Sequence, residues 1–463
     1  MKKILKFGGS SVADAACIQG VAQIIANAHT PGNEIYIVLS AMQGVTDALI
    51  KIAGDVRDGK FLAPALQSLL DKHEAVMLQL GLDTDMELVT SFKQLSTEMK
   101  DHLPRCPGAS VDFNMWKDVL LGFGELLSAR IMSAYLRSKL IDAELLDARK
   151  VVITDSNYGN AYVHYQRSYD RIREYVSNHG RLQVITGFLG ANEYGNATTL
   201  GRSGSDYSAS IFGAALNVDQ IEIWTDVDGI LTANPKVVNK TVPIPELTYE
   251  EAMELAHAGA KVIFPPTMIP AMYKRIPIVV KNTFRPDQPG TRISPDRSLQ
   301  GKITVGLSSV SNVSLLRMQG AGMVGVKGIN ARLFSCLADK GISVMLVSQA
   351  FSEHSTCFAV KPEETDLALM CIDDEFDKEL KAKYIDSVKV QNDLSLVAVV
   401  GEGMQHTPGI AGLVFQVLGQ EKINVEAIAQ GSSRRNISFI VHDNEAQRAL
   451  QRLHQVLFER AET

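Results

Sequence analysis

The sequence predicts an α/β fold in which helices sandwich a mainly parallel β-sheet, followed by two smaller α+β domains. The chain opens with a strand, a glycine-rich turn, a helix and a nearly continuous apolar strand from Ile35 to Leu39, a pattern typical of a parallel sheet covered on both faces. Residues 314–360 then recur as residues 395–441 at a constant offset of 81, whereas the first 300 residues contain no such repeat. The repeat indicates two equivalent regulatory modules downstream of the main domain.

The other elements of the main domain follow from apolar runs and turn residues. The first strand spans Lys3 to Phe7 and the first helix about Val12 to Asn27. Residues of about 45–137 predict a mainly helical insertion. Later strands are predicted at Ala143 to Leu146, Leu182 to Thr186 and Gln220 to Trp224. Because ligands of open α/β sheets bind at the carboxyl ends of the strands, we look for chemistry in the turns that follow them.

A proline-rich polar stretch, residues 286–296, places a domain boundary near residue 300. Each repeat reads as strand, helix, strand, strand, helix, and the first continues into a strand near Ser387 to Val390. The second repeat could take its missing strand from Ile303 to Ser308. We therefore expect a catalytic domain of residues 1–300, a first repeat domain of residues 313–392 and a second assembled from residues 301–312 and 393–463.

Composition excludes several classes of protein. With 463 residues and 46% hydrophobic side chains, the chain is typical of a soluble globular protein, and no apolar run of transmembrane length is apparent. Five cysteines without a C-x-x-C pair argue against a disulfide framework and indicate a reducing cytoplasm. A net charge of −6 disfavours nucleic acid or an anionic membrane as a partner.

The first chemical motif follows the first strand and comprises Lys6, Gly8, Gly9, Ser10 and Ser11. Two glycines allow backbone N–H groups to approach an oxyanion, a helix N-terminus adds partial positive charge, and the lysine adds a full one. The motif is not a Walker A loop, because the lysine precedes the glycines. A phosphate cradle and a plain strand-to-helix turn are both compatible with these residues alone.

Three later segments could complete a site. Arg202 could hold a carboxylate with two parallel hydrogen bonds, and Asp206 could hold a lysine. Asp226 and Asp228 end an apolar strand, where they could receive a nucleotide or its metal ion, and Lys261 follows a carboxylate-rich helix. Taken singly, each segment could also be an ordinary loop or surface residue.

In this order, the motifs resemble the aspartate kinase family of amino acid kinases over essentially the whole chain. The family segments K-F-G-G-S-S-V, G-E, T-G-F, L-G-R-S-G-S-D, W-T-D-V-D-G, G-A-K-V and K-N-T begin at Lys6, Gly124, Thr186, Leu200, Trp224, Gly259 and Lys281. The duplicated segment resembles the tandem ACT domains of that family. The resemblance implies the amino acid kinase fold followed by two ferredoxin-like ACT domains.

The resemblance also implies roles for matching residues. The catalytic residues are Lys6 and Asp206, and the phosphate and ATP contacts are Lys6, Gly8, Gly9, Ser10, Ser11, Thr225, Asp226, Leu231, Lys236 and Lys261. The aspartate contacts are Ser40, Thr46, Glu125, Gly187, Phe188, Arg202 and Ser205. Glu125 is expected to pair with the amino group of aspartate, and Arg202 with a carboxylate.

These roles imply transfer of a phosphoryl group from ATP to the side-chain carboxylate of L-aspartate, the first step toward lysine, threonine and methionine. The attacking oxygen is already ionised at neutral pH, so no general base is needed. We expect Mg²⁺ to be held mainly by the ATP phosphates, without a metal site made by the protein.

Some positions depart from the family pattern. Leu231 replaces a tyrosine, Ala233-Asn234-Pro235-Lys236 replaces Thr-Asp-Pro-Arg, and Phe264 replaces a histidine before proline. A leucine cannot stack as an aromatic ring does, and a lysine lacks the bidentate fork of arginine. These changes concern the nucleotide side, whereas the aspartate set is complete.

Three other functions have partial support in the sequence. Gly320 to Gly325 matches the dinucleotide fingerprint G-x-G-x-x-G, but its repeat copy lacks the third glycine, so we reject a nicotinamide site and, given where the chain ends, expect no fused homoserine dehydrogenase. The phosphate cradle would also suit a kinase acting on glutamate, acetylglutamate or uridylate. The altered nucleotide side would suit a catalytically weak amino-acid sensor.

The repeats predict regulation and assembly. Gln349 and Gln430 occupy equivalent strand ends, and an amide that both donates and accepts suits a hydroxyl amino acid. We therefore expect feedback by threonine, as in the threonine-sensitive type of the family, with lysine as the runner-up. We also expect a homodimer formed through the ACT domains, with pairing of dimers into tetramers left open.

Overall fold

The computed structural model describes residues 1–60, 63–108, 110, 112–260, 262–296, 303–349, 354–431 and 433–459. The chain forms two units. The first comprises Met1–Ile230, Pro245–Tyr249 and Val262–Arg297, and the second comprises Leu231–Ile244, Glu250–Lys261 and Ser298–Thr463.

Helices and strands alternate through the first part of the chain. The strands are β1 (Lys2–Phe7), β2 (Glu34–Leu39), β3 (Ala143–Leu146), β4 (Ile153–Thr154), β5 (Leu182–Thr186), β6 (Leu189–Asn192), β7 (Ala197–Thr199), β8 (Gln220–Thr225), β9 (Glu246–Thr248), β10 (Ile278–Asn282) and β11 (Thr291–Ser294). The helices are α1 (Ala15–Ala28), α2 (Val45–Arg57), α3 (Ala63–Gln79), α4 (Met86–His102), α5 (Phe113–Ser138), α6 (Tyr165–Asn178), α7 (Gly204–Leu216), α8 (Tyr249–His257) and α9 (Pro265–Tyr273).

The main sheet of the first unit has eight strands in the order β3-β5-β2-β1-β8-β10-β11-β9. All pairs from β3 to β10 are parallel, and only β10 and β11 pair in antiparallel orientation. The central strands are apolar and fully buried, as at Ile4, Leu5 and Ile37, because helices cover the sheet. The predicted α/β fold class is therefore confirmed.

Two groups of helices pack on this sheet. Helices α1 to α5 contact one another, and α7 contacts both α6 and α9. Among the described residues, α5 alone is long and apolar enough to cross a membrane, a feature that sequence analysis did not register. Most of that helix is buried inside the first unit, which is how the core helix of a globular domain behaves.

The turn after β1 differs from the prediction. Instead of leading directly into a long helix at Val12, it forms a short 3₁₀ helix, Gly9–Val12, and α1 begins only at Ala15. The reason is the cap of α1: the Asp14 side chain accepts the N–H of Cys17 at 2.8 Å, which satisfies an otherwise free donor of the first turn.

The second unit contains the duplicated segments. Its strands are β12 (Gly306–Gln319), β13 (Leu346–Gln349), β14 (Ser355–Val360), β15 (Ser387–Val400), β16 (Ala427–Ala429) and β17 (Asn436–His442), and its helices are α10 (Ile329–Asp339), α11 (Thr365–Glu375), α12 (Asp377–Lys381), α13 (Ile410–Gln420) and α14 (Asp443–His454). They form one antiparallel six-stranded sheet in the order β13-β14-β12-β15-β17-β16.

Strands β12 and β15 are long and serve both repeats. The first half of β12, from Gly306, pairs with the last residues of β15 up to Val400, and the second half pairs with the beginning of β15 and with β14. The strand that precedes the first repeat thus lies beside the first strand of the second repeat. The arrangement agrees with two ferredoxin-like ACT folds that share a sheet.

The segment 231–244 packs with the second repeat. Ala233 and Val238 join the same buried cluster as Val414, Leu418 and Phe439. In addition, the carboxylate of Glu251 on α8 accepts the N–H of Glu402 at 2.8 Å. These contacts explain why residues 231–244 and the segment that carries Glu251 belong to the second unit.

Candidate active site

A cavity of about 630 Å³ opens at the carboxyl ends of the central strands of the first unit. Its lining includes Gly9, Ser10, Ser40, Thr46, Glu125, Phe188, Arg202 and Ser205, all from the predicted set. Cavities of this size at the carboxyl edge of a parallel sheet are the usual ligand sites of α/β proteins.

Lys6 lies on β1 beside this edge. Its side chain is largely buried, and its Nζ lies 2.5 Å from Oδ1 of Asp206, in the first turn of α7. The dipole of α7 also stabilises the negative charge of Asp206 in its first turn. The ion pair therefore fixes the direction of the Lys6 ammonium group independently of any bound ligand.

The glycine turn beside Lys6 is held close to neighbouring strands. Gly8 donates its N–H to the carbonyl of Trp224 at 3.0 Å. A Cβ on Gly9 would lie 3.0 Å from the carbonyl oxygen of Ala41, so a side chain would crowd that strand end. Ser11 is buried, and its hydroxyl shares a 2.7 Å hydrogen bond with that of Thr283. Gly9 and Ser10 line the cavity, whereas Ser11 supports the turn from behind.

Glu125 lies on α5 and is 3% exposed. Its Oε1 accepts the N–H of Ala41 at 3.2 Å, and Oε2 is buried without a hydrogen-bond partner in the described part of the chain. Burial raises the pKa of the Glu125 carboxyl to about 8. A buried acceptor without a partner is costly, so a cationic ligand group that reached Oε2 would be strongly favoured.

The opposite wall is built around two tight turns. Gly187 donates its N–H to Leu39 at 2.8 Å, and a Cβ there would lie 2.7 Å from the Cβ of Ser205. Phe188 and Ser203 both have positive φ, at 67° and 54°, which turns the chain sharply before α7. The wall is therefore shaped by close backbone packing.

Arg202 lies in the loop just before α7 and lines the cavity. Its guanidinium carbon lies 5.7 Å from the centre of the Phe264 ring, within range of a cation–π interaction. It makes no ion pair with the described residues. Phe264, one of the departures from the family pattern, thus contacts Arg202, which is predicted to bind the substrate aspartate.

The nucleotide set is only partly assembled. Thr225 and Asp226 lie at the end of β8, and the Thr225 hydroxyl donates to Asp226 at 3.2 Å. Asp228, for which the sequence left a ligand contact and a turn residue both open, accepts from Arg285 at 2.5 Å and from the Asn282 amide at 2.7 Å.

Two of the predicted nucleotide residues belong to the second unit, and a third lies outside the described residues. Leu231 belongs to the second unit, where it forms an isolated bridge with Pro243. Lys236 also belongs to that unit and is exposed. Lys261 lies outside the described residues. Within the described residues, no group of three or more histidine, cysteine or acidic side chains could hold a metal ion.

The predicted site residues do not include some that line the cavity, among them Asp47, Lys117, Leu121, Thr199 and Gly201. The signal for two of them was present. Lys117, Leu121 and Glu125 are spaced four residues apart on α5, so they share one helix face. Once Glu125 was selected, helical spacing alone could have identified the other two.

The predicted effector residues lie in the second unit. Gln349 ends β13 and lines a cavity of about 560 Å³ together with residues 325–331, and its side-chain oxygen accepts the amide of Asn330 at 2.9 Å. Gln430 follows β16 and is exposed. The position equivalent to Asn330 in the second repeat is Ala411, so the two glutamines have different surroundings.

Comparison with known proteins places these features in a family. The sequence profile of the amino acid kinase family matches residues 1–282, and the profile of the ACT domain matches residues 316–376 and 397–457. Aspartokinase 1 from Arabidopsis thaliana chloroplasts is 34% identical over 467 residues, covering 98% of this chain and 80% of the relative.

Other relatives are longer. Bifunctional aspartokinase/homoserine dehydrogenase 2 of Arabidopsis thaliana is 34% identical over 470 residues, covering 99% of this chain and 51% of the relative. The bifunctional aspartokinase/homoserine dehydrogenase of Haemophilus influenzae is 33% identical over 468 residues, covering 98% of this chain and 56% of the relative. The chain thus spans about half the length of these bifunctional relatives.

Two solved structures are similar along almost their whole length. Escherichia coli aspartokinase III in complex with aspartate and ADP has a TM-score of 0.83 and 28% identity, covering 99% of this chain and 100% of that one. Clostridium acetobutylicum aspartate kinase has a TM-score of 0.82 and 28% identity, covering 98% and 100%. The chain belongs to the amino acid kinase family and, within it, to the aspartokinases.

Proposed function

We propose that this chain transfers the γ-phosphoryl group of ATP to the side-chain carboxylate of L-aspartate, giving ADP and 4-phospho-L-aspartate, the entry to lysine, threonine and methionine synthesis. The observation that carries the proposal is the cavity in which the buried carboxylate of Glu125 and the guanidinium of Arg202 share one lining. An acidic and a basic side chain in one small cavity suit a zwitterionic amino acid with a second carboxylate, because the ammonium group of the ligand favours the ionised form of Glu125.

In the proposed complex, Glu125 receives the ammonium group of aspartate at its free Oε2. Arg202 holds a carboxylate through two parallel hydrogen bonds. Ser40, Thr46, Gly187, Phe188 and Ser205 shape the remaining wall of the aspartate site. A site that binds both charged ends rejects analogues lacking one of them, because its own polar groups would be left unpaired.

The chemical step requires positioning and charge neutralisation. The attacking carboxylate oxygen is already ionised, so no side chain needs to remove a proton. Lys6 is the catalytic cation, and Asp206 directs its ammonium toward the transferring group. Such preorganised donors typically contribute about 3 to 4 kcal/mol each to transition-state stabilisation.

On the nucleotide side, Gly8, Gly9, Ser10 and Ser11 make up the turn of the phosphate cradle, in which Gly9 and Ser10 line the cavity. The proposed ATP contacts are Thr225, Asp226, Leu231, Lys236 and Lys261. Mg²⁺ is carried mainly by the ATP phosphates, where it neutralises charge on the transferring group. The acidic side chains near the turn fit a metal ion carried by the phosphates. Asp206 is already paired with Lys6, and Asp226, which follows β8, is exposed.

Regulation and assembly follow from the second unit. The effector is threonine, bound through Gln349 and Gln430, with lysine as the alternative; E. coli aspartokinase III in complex with lysine and aspartate has a TM-score of 0.78 and 30% identity to this chain. The enzyme is a cytoplasmic homodimer joined through its ACT domains. The homodimer is supported by the exposed apolar side chains of Val347 on β13 and Ile428 on β16, two strands that meet where the Ser348 hydroxyl donates to the Ile428 carbonyl at 2.9 Å. The cytoplasmic location is supported by the five free cysteines.

The domain division also belongs to this proposal: residues 1–300 act as the catalytic domain, residues 313–392 as the first ACT domain, and residues 301–312 with 393–463 as the second. Segments 231–244 and 250–260 belong to the second unit, although they precede residue 300. The homodimer has a separate test: light scattering that showed a monomer at micromolar concentration would contradict it.

The test is a coupled ADP-release assay with magnesium ATP and, separately, L-aspartate, L-glutamate, N-acetylglutamate or uridine monophosphate. We expect turnover with aspartate only. Lys6→Ala should lose it, whereas Lys3→Ala, on the same strand and paired with Glu222 at 2.9 Å, should retain it. Turnover with another acceptor alone, or near-normal activity of Lys6→Ala, would overturn the proposal.

A further inference from the structure

Helix α5 carries a second buried carboxylate, Asp118, which is fully shielded from solvent. Its Oδ2 accepts the N–H of Gly159 and the N–H of Thr199, each at 2.8 Å, and its Oδ1 accepts the Thr199 hydroxyl at 2.9 Å. Among the described residues it forms no ion pair. All of its polar contacts therefore go to two loops outside its own helix.

Both loops line the active-site cavity. Gly159 and Thr199 are lining residues, and the chain continues from Thr199 to Gly201 and Arg202, which also line it. The loops are packed against each other: Ala161 donates its N–H to Thr199 at 3.0 Å. Asp118 thus connects α5, which presents Glu125, to the loop that presents Arg202.

The two loops pack closely at Gly201. This residue has a φ of 74°, and a Cβ there would lie 2.4 Å from Oδ1 of Asn160, so no larger residue fits at this point. Asp118 joins the same two loops through Gly159 and Thr199 and so sets their separation. Three hydrogen bonds to one ionised side chain hold that separation, and bonds to a charged group are about twice as strong as neutral ones.

We propose that Asp118 is a positioning residue for aspartate recognition: it fixes the Thr199 to Arg202 loop so that the Arg202 guanidinium stays opposite the Glu125 carboxylate. This inference rests on the proposed function, because it assigns the Arg202 side chain to the amino acid substrate. Asp118 touches neither substrate and acts only through the loop. Its loss should therefore weaken aspartate use and leave ATP use nearly unchanged.

The test begins with Asp118→Asn, which keeps the shape and can keep all three contacts, because its amide oxygen can accept the two N–H groups and its NH2 group can donate to the Thr199 hydroxyl. What the variant removes is the negative charge, so the Michaelis constant for aspartate should rise about 10-fold, since all three hydrogen bonds lose the strength that a charged acceptor gives. The constant for ATP should stay within about 2-fold. Asp112→Asn, an exposed change just before the same helix, is the matched control and should alter neither.

A double-mutant cycle separates positioning from a general structural role. If Asp118 acts through Arg202, then Asp118→Asn introduced into an Arg202→Lys protein should raise the aspartate constant by less than about 3-fold further, because interacting residues are not additive. Additive effects in the two proteins, or equal increases of the aspartate and ATP constants, would overturn the inference.

Thr199→Val provides a second route if Asp118→Asn does not fold. It removes only the hydroxyl bond to Oδ1 and should raise the aspartate constant by roughly 3-fold with ATP unaffected. No change in either constant would overturn the inference. Absence of aspartate kinase activity in the wild type is a different outcome, since it would reject the proposed function itself.

Discussion

The Nζ of Lys6 and the Oδ1 of Asp206 lie 2.5 Å apart, joining the end of β1 to the first turn of α7. Both side chains are largely buried, so the pair is screened little by solvent and holds the ammonium in one direction. In the proposed reaction this direction points the charge toward the transferred phosphoryl group.

Removing the carboxylate should therefore release the lysine. We expect Asp206→Asn to lower kcat by about 10²- to 10³-fold, the range found when one preorganised electrostatic group is lost, with folding retained. Asp219→Asn is the control: Asp219 accepts the N–H of Lys2 at 2.7 Å at the opposite end of β1 and should leave kcat within about 2-fold. Steady-state kinetics with circular dichroism makes the comparison, and equal kcat in the two variants would refute the role of Asp206.

Glu125 predicts a pH dependence of aspartate use. Its pKa of about 8 in the free protein means that the carboxyl is mostly protonated at neutral pH, and the protonated form cannot pair with an ammonium group. Since kcat/KM reports the free enzyme, kcat/KM for aspartate should fall by up to about tenfold per pH unit below pH 8. A profile that is flat from pH 6 to pH 8.5 would contradict this assignment.

The same burial predicts an effect on stability. The pKa of Glu125 is raised from 4.5 to about 8 on folding, so the folded protein binds this proton more tightly than the unfolded chain does. The contribution of Glu125 to the free energy of unfolding therefore falls as pH rises from about 4.5 to about 8.

Glu125→Gln removes this loss, so the variant should gain stability over the wild type on going from pH 5 to pH 8, by up to a few kcal/mol. Urea unfolding at both values measures the difference. The exposed Glu87→Gln is the control and should follow the wild type. A stability difference between Glu125→Gln and wild type that does not change with pH would exclude the effect.

Phe264 predicts a smaller, substrate-specific effect. Its ring lies under the Arg202 guanidinium at 5.7 Å, and such contacts contribute about 0.5 to 1 kcal/mol at partly exposed sites. Phe264→Leu should therefore raise the Michaelis constant for aspartate by roughly 2- to 5-fold. Phe284→Leu, a matched change at an exposed phenylalanine, should have no effect. Equal behaviour of the two variants would show that the ring does not hold Arg202.

The two effector glutamines are expected to differ. Gln349 accepts the Asn330 amide and lines a cavity, whereas the position equivalent to Asn330 in the second repeat is Ala411. Gln349→Ala should raise the threonine concentration for half inhibition by about 10-fold, which corresponds to about 1.4 kcal/mol, and Gln430→Ala should raise it less. Kinase activity is measured while threonine or lysine is titrated, which gives the concentration for half inhibition of each variant; Gln420→Ala is the control. A wild type insensitive to threonine would remove this prediction.

Much of the architecture could be predicted from local patterns. The apolar run of β2 and the strand-turn-helix at Lys6 mark a parallel sheet, and the offset between the repeats marks two similar modules. The start of α1 was missed by three residues, because the cap at Asp14 competes with the glycine turn, and pattern alone does not rank them.

The site was less predictable where it depends on distant parts of the chain. Asp118 is bound to Gly159 and Thr199, which are 41 and 81 residues away, so nothing near it in the sequence reveals its partners. From sequence, Asp228 could be a ligand contact or an ordinary turn residue; the structure pairs it with Arg285 and Asn282, and only the fold brings these side chains together.

The most direct test of the central claim is to identify the product. The wild-type protein is incubated with magnesium ATP, L-aspartate and hydroxylamine, which converts an acyl phosphate to a hydroxamate that mass spectrometry can identify. We predict aspartyl hydroxamate in amounts equal to the ADP released, and none with Lys6→Ala. Release of ADP without hydroxamate, or hydroxamate formed from glutamate in place of aspartate, would contradict the proposal that this chain phosphorylates aspartate.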